Sequence, residues 1–284
     1  MVVPAQAGRI LKLRHYGIPI RYMITKEEIT PLLSLREEQI GSHTDTLLIR
    51  NIGDGACGQA SCLYLRFNGH NYAVSCSHVV KDKSEYFTGS KRLRGTPIEK
   101  AGSHRVPPLQ LIRSDSALDL AAFTHFGLDL AKIPKCAYDL SSSPFTYENT
   151  AKDIGTLSFI YGVPAFLSYA IPRPDEGVYL CLPIYTVCGP ITQVCREWIL
   201  ADFPENEPDE VNPEITDFAA TGGARDISGM SGSGLWVMCE DRFHLSGILS
   251  HRTSGYDTSS SHIISFTPVW VLKAWLQTLN VAGL

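Results

Sequence analysis

The run Asp226-Ile227-Ser228-Gly229-Met230-Ser231-Gly232-Ser233-Gly234-Leu235-Trp236 sets serines among glycines immediately before an apolar β-type segment. Small neighbours let the backbone turn tightly, expose a hydroxyl and aim successive N–H groups at one point, which is how an oxyanion hole is made. The same composition also suits an ordinary Gly/Ser turn. Of the hydroxyls, Ser231 has a glycine at minus two. Ser233 has Ser231 there, so it ranks below Ser231 as a nucleophile.

Two segments upstream give the run its meaning. Val74-Ser75-Cys76-Ser77-His78-Val79-Val80 ends an apolar β run on a histidine. Such a residue serves either as a hydrogen-bonded core group or as a base. Leu118-Asp119-Leu120-Ala121-Ala122-Phe123 places a carboxylate at the head of another apolar run. A carboxylate entering a strand must find a hydrogen-bond partner or lose its charge.

Together the three segments resemble the chymotrypsin-like serine proteases. The histidine motif Thr-Ala-Ala-His-Cys is matched by Ser75-Cys76-Ser77-His78-Val79, and Asp-Ile-Ala-Leu by Asp119-Leu120-Ala121-Ala122. Gly-Asp-Ser-Gly-Gly-Pro is matched by Gly229-Met230-Ser231-Gly232-Ser233-Gly234. Order and spacing also agree, with His78 first, Asp119 41 residues later and Ser231 a further 112 on. Gly247-Ile248-Leu249-Ser250-His251-Arg252 looks like the family's substrate strand, and Tyr161-Gly162-Val163-Pro164 like a turn of its bacterial branches. The resemblance covers residues 44–284 and suits a divergent intracellular bacterial-type member.

The resemblance implies an all-β fold of two six-stranded antiparallel barrels and a serine endopeptidase working through an acyl-enzyme. Ser231 would be the nucleophile, His78 the base and Asp119 its orienting carboxylate. The N–H groups of Gly229 and Ser231 would form the oxyanion hole. It implies a polypeptide substrate, no cofactor and no metal; a regulatory protein partner is one of three candidate means of control, beside residues 1–41 and loop ordering. Residues placed like the family's specificity pocket are Arg225, Asp226, Ser250, His251 and Arg252. If the cations line that pocket, like charge disfavours Lys and Arg and favours Asp, Glu or a small side chain. A salt-bridged surface turn at Arg225-Asp226 is the competing account.

Departures from the family pattern carry information. Met230 replaces the aspartate that pairs with a freed N-terminal amine on zymogen cleavage, and residues 1–43 contain no Arg-Ile-Val-Gly-Gly site, so that activation route is not expected. Val79 replaces the cysteine after the histidine and removes the family's usual disulfide. Cys62 and Cys76 are left either facing each other across a hairpin or as free thiols.

Outward from these motifs, short β-rich runs cover Leu47 to Ile52, Cys62 to Phe67, Tyr72 to Ser77, Leu109 to Arg113 and Leu120 to Thr124. Asn68-Gly69 is a hairpin signal between the second and third. A second series runs Leu157 to Tyr161, Val178 to Val187, Glu197 to Ala201, Gly234 to Met238, His244 to Ser250 and His262 to Phe266. A helical stripe follows at Val269 to Leu279. The expected organisation is an N-terminal extension at 1–41, a first barrel at 42–148, a second at 149–266 and a terminal helix at 267–284. Within the extension, Thr25-Lys26-Glu27-Glu28 fits a capping box and Ser34 to Ile40 a short helix stopped by Gly41, which predicts partial helicity.

Composition excludes other classes. The 284 residues hold 25 Lys and Arg against 29 Asp and Glu, a net charge of −4, so no basic field exists for nucleic acid. The charge-free stretches Ile154 to Pro172 and Val178 to Cys195 are broken by prolines and glycines and do not read as membrane spans. Arg9, Lys12, Arg14 and His15 interrupt any signal-peptide core. The eight cysteines are sparse, and reduced thiols in a cytoplasm are expected. Cys181, Cys188 and Cys195 recur every seven residues, yet they lack the close pair or neighbouring His of a zinc site. Seven carboxylates between Asp202 and Asp217, with three prolines, read as a solvated loop; a calcium site or a funnel for basic substrates is the alternative.

Two rivals remain. An α/β-hydrolase elbow needs Gly-x-Ser-x-Gly with its acid and histidine after the serine, and the pattern here is reversed. A catalytically silent protease-like interaction module is the other, opposed by the presence of all three triad residue types.

Overall fold

Asn68 and Gly69 take φ of 50° and 82° at the tip of a hairpin. Positive φ at both central residues is what an Asn-Gly turn supplies. The computed structural model describes residues 11–12, 21–22, 39–53, 57–88, 109–124, 136–150, 154–162, 169–173, 177–181, 185–203, 229–239, 241–250 and 262–279.

In chain order the strands are β1 (Leu11–Lys12), β2 (Arg21–Tyr22), β3 (Thr44–Asn51), β4 (Cys57–Phe67), β5 (His70–Ser75), β6 (Ser84–Thr88), β7 (Gln110–Asp115), β8 (Leu120–Thr124) and β9 (Tyr138–Asp139). After a one-turn helix α1 (Tyr147–Thr150) come β10 (Leu157–Gly162), β11 (Tyr169–Arg173), β12 (Gly177–Cys181), β13 (Tyr185–Val194) and β14 (Ile199–Phe203). The last elements are β15 (Gly234–Cys239), β16 (Arg242–Ser250), β17 (His262–Pro268) and helix α2 (Val269–Gln277).

The second series closes into a six-stranded barrel, in the order β10-β13-β14-β17-β16-β15. The first forms a curled sheet β6-β3-β4-β5-β8-β7, with β9 added parallel to β4. The expected pair of antiparallel barrels takes this form: the second closes fully, while among the described residues the seam of the first is joined by a single bridge, Tyr86 to Leu109. Double-barrel architecture of the chymotrypsin type nonetheless holds.

Alternation along β4 explains why its sequence reads as a continuous apolar run. Ala60, Cys62 and Tyr64 fill the interior of the first sheet with Leu47, Ile49, Ala73 and Phe123. Leu63, Leu65 and Phe67 point the other way, into one continuous core with Phe159, Ile160, Trp236 and Phe266 of the second barrel. Side chains alternate across a strand, so a strand buried on both faces loses its polar positions. The two modules therefore share a core.

Some strand readings need correction. The run Val178 to Val187 is two strands, β12 and β13, with Pro183 in the sequence between them; proline has no N–H for a ladder. β6 and β11 were not foreseen: Ser84-Glu85-Tyr86-Phe87-Thr88 is too short and polar to stand out, and Pro172 interrupts β11. Of the extension, β1 pairs antiparallel with β2, Leu11 opposite Tyr22. The capping box and most of the charged run lie outside the described residues. No helix among the described residues is long and apolar enough to cross a membrane.

Candidate active site

Strand register brings His78 and Asp119 together. β5 and β8 run antiparallel with Ser75 opposite Ala121, so the residues just after Ser75 and just before Ala121 emerge at the same end of the sheet. A 3-10 turn at Ser77–Val79, closed by Val80 N–H to the Ser77 carbonyl at 2.9 Å, carries His78. Opposite it, Asp115 accepts from the N–H of Ala117 and Leu118 at 3.0 and 3.1 Å, an Asx turn that ends on Asp119. Asp119 has φ of 53°, a left-handed value that Asp tolerates better than most side chains. From the second barrel, the Thr267 hydroxyl donates to the Leu118 carbonyl at 2.8 Å and ties this turn down.

The Asp119 carboxylate is buried, 7% exposed, and densely hydrogen-bonded. His78 Nδ1 lies 3.0 and 2.9 Å from its two oxygens. The His78 backbone N–H donates to Oδ1 at 3.1 Å, and the Ser77 hydroxyl donates to the same oxygen at 3.0 Å. With Nδ1–H donating to the carboxylate, Nε2 is left as an acceptor. That nitrogen lies 3.0 Å from Ser231 Oγ. Asp119, His78 and Ser231 thus form one continuous hydrogen-bonded chain across the two modules.

Ser231 sits in a tight turn. The Ser233 N–H donates to the Met230 carbonyl at 2.8 Å, and Gly232 at the third position has φ of 88°, as a type II turn requires. A Cβ at Gly232 would lie 2.2 Å from the Ser61 carbonyl oxygen, so space as well as conformation demands glycine. Gly232→Ala is expected to lose roughly 2–5 kcal/mol, combining left-handed strain with overpacking against backbone. Urea unfolding would measure it, and a loss under about 1 kcal/mol would contradict this account of the turn.

Gly229 also has positive φ, 88°. Among the described residues no acceptor takes the N–H of Gly229 or Ser231. These are the two donors expected from the sequence, and a carbonyl oxygen could use both. Met230 between them is fully buried in the shared core. A thioether in that place stabilises by apolar packing and makes no ion pair.

The second hydroxyl, Ser233, is fully buried, and its Oγ has no hydrogen-bond partner among the described residues. It packs against Gly162, where a Cβ would lie 2.0 Å from that oxygen. Ser250 is buried and its hydroxyl donates to the Ser265 carbonyl at 3.3 Å. Arg225, Asp226, His251 and Arg252 lie outside the described residues, as does the acidic loop beyond Phe203.

Sequence reasoning did not single out Ser61, Ser75, Ser77 or the role of Cys76. A hydroxyl directly preceding the histidine was the available signal for Ser77. The others sit in apolar runs and acquire partners only across the module boundary. Cys62 and Cys76 are both buried free thiols, which resolves the question left open between disulfide and dithiol. The Cys76 Sγ and the ligand atoms of His78 and Asp119 lie within 4.8 Å of one another. Burial pushes the Cys76 thiol well above its ordinary pKa, with the Asp119 charge adding to the effect. The protonated thiol donates to the Leu249 carbonyl at 2.7 Å, as a hydrogen-bonding core group.

No protein-family model matches the chain, and no curated protein matches it. Solved structures do match. A serine endoprotease from Yersinia pestis superposes with a TM-score of 0.51 at 14% identity, over 88% of this chain and 67% of that one. An HtrA-type protease, AlgW with tripeptide, superposes with a TM-score of 0.50 at 14% identity, over 88% of this chain and 64% of that one. The chain has the trypsin-like serine protease fold.

Proposed function

We propose that the chain is a serine endopeptidase. The observation that carries this reading is the continuous path Asp119–His78–Ser231, with 2.9 Å and 3.0 Å links. In it Ser231 Oγ attacks a peptide carbonyl while His78 Nε2 takes its proton. Asp119 holds the imidazole in the tautomer that can accept, and stabilises the imidazolium that forms. The N–H groups of Gly229 and Ser231 hydrogen-bond the developing oxyanion, and His78 then protonates the leaving amine. Water repeats the sequence on the acyl-enzyme, again with His78 as base.

A fluorophosphonate tests both the chemistry and its control. Because buried Met230 makes no charge pair, the proposal needs no cleavage to create a new N-terminus; control falls to residues 1–41, to a partner protein or to loop ordering. The full chain with Met1 intact should label on Ser231, and Ser231→Ala should not. Absence of labelling under any condition would favour the silent interaction module. Labelling only after cleavage between residues 24 and 44 would overturn the part concerning maturation.

The substrate is a polypeptide, and the proposed preference is acidic or small before the scissile bond, resting on Arg225, His251 and Arg252 in the sequence. A positional-scanning peptide library checks it. Dominant cleavage after Lys or Arg would show that these cations do not line the pocket. Buried, unbridged Cys62 and Cys76 support a reducing compartment, with the cytoplasm as the proposed location.

A further inference from the structure

Behind the nucleophile turn, the Ser61 side chain of β4 reaches out of the first module to the loop that carries the oxyanion donors. The Ser61 backbone N–H donates to the Ser231 carbonyl at 2.8 Å, and the Ser61 hydroxyl donates to the Gly229 carbonyl at 3.2 Å. Ser61 is itself held from behind, because the Ser75 hydroxyl donates to its carbonyl at 2.7 Å. On the far side, Gly162 leaves room for its Oγ, since a Cβ there would lie 2.8 Å away.

Each peptide plane of the loop has a separate restraint. The 230–231 plane, which carries the Ser231 N–H, is held through the Met230 carbonyl by the Ser233 N–H. The 231–232 plane is held by Ser61 N–H at one end and by Gly232 N–H to the Leu249 carbonyl, at 3.2 Å, at the other. Only the 229–230 plane has its carbonyl held by a side chain. It adjoins a glycine at φ of 88°, a residue free to leave that conformation at little steric cost. Rotation at Gly229 would swing this plane relative to the one carrying the Gly229 N–H, and would misdirect that donor.

We infer that Ser61 is a positioning residue: its hydroxyl, acting across the module boundary, keeps the Gly229 N–H aimed at the oxyanion. This rests on the endopeptidase reading. Full removal of one such donor costs about 10²–10³ in kcat. Loosening it through Ser61→Ala should cost about tenfold to a hundredfold, with KM changed less than about twofold because ground-state binding does not use the hole.

The test is the rate of Ser231 phosphonylation by a fluorophosphonate, whose P=O oxygen occupies the same hole, measured on the full chain and on Ser61→Ala and Ser61→Gly. Thermal unfolding and carbethoxylation of His78 by diethylpyrocarbonate are followed alongside. Slow phosphonylation in either folded variant, with His78 modified at the wild-type rate, is the expected result. Equal rates in wild type and variants would overturn the inference while leaving the endopeptidase reading intact. Altered His78 modification, or failure of both variants to fold, would also overturn it, by showing that Ser61 supports the triad or the fold and not the donor. An unlabelled wild type would instead overturn the endopeptidase reading itself.

Discussion

Ser231→Ala should lower kcat by on the order of 10⁶, His78→Ala should do nearly the same, and the double variant should be little worse than either. The non-additivity follows from the geometry. The hydroxyl is useful only if Nε2, 3.0 Å away, takes its proton, and Nε2 has nothing to activate once Oγ is gone. Residual turnover in each variant would come from the oxyanion donors and substrate binding alone. Hydrolysis of an unstructured protein such as casein, read by the appearance of new N-termini, measures the loss. Turnover undiminished in Ser231→Ala would remove Ser231 from the mechanism, and multiplicative losses in the double variant would show that the two residues do not work as a unit.

Asp119→Asn should cost about 10⁴ in kcat with the fold intact, as loss of the correct tautomer does in triads generally. The carboxylate accepts from Nδ1 of His78, from the His78 backbone N–H and from the Ser77 hydroxyl. An amide in its place can keep its oxygen on the backbone N–H and the hydroxyl, but turns its NH₂ toward Nδ1. That forces the ring proton onto Nε2, where it faces Ser231 as a donor and blocks proton abstraction. Asn tolerates left-handed φ as well as Asp does, so the 53° backbone at this position gives no reason for misfolding. Circular dichroism and the thermal midpoint should therefore match the wild type while the fluorophosphonate rate collapses. A rate within tenfold of wild type would mean that Asp119 does not orient the imidazole.

The parts of the site that rest on local backbone chemistry were legible. Gly232 and Gly229 were readable as glycines that the turn needs, because positive φ at both, and close approach of backbone at Gly232, disfavour a Cβ. Asn68-Gly69 was readable for the same reason. His78 and Asp119 stood out because polar groups at the ends of apolar runs demand partners. The parts that rest on pairing across the chain were not legible. Ser61 looks like one more small residue in an apolar strand, and its two bonds to the Ser231 loop exist only because the modules share a core. The bond of the Ser250 hydroxyl to the Ser265 carbonyl was not legible either, since it depends on the register in which the neighbouring strands β16 and β17 pair.

Taken alone, the order of residues determined the all-β class, the approximate extent of most strands, the hairpin at Asn68-Gly69 and the identity of three polar groups, His78, Asp119 and Ser231, that the fold joins in one hydrogen-bonded chain. It did so because alternation, turn residues and isolated polar groups are properties of short segments, written where they act. Tertiary structure alone decided that, among the described residues, the first sheet curls to a single bridge at its seam and that Cys62 and Cys76 are thiols. It also decided that Ser77 joins the Asp119 carboxylate and that Ser61 bonds the carbonyls of Gly229 and Ser231. Each of these depends on a distance of a few ångströms between residues up to 170 positions apart, such as Ser61 and Ser231. Such distances are set by how two faces of one sheet share a core with a second barrel, and no local pattern encodes them.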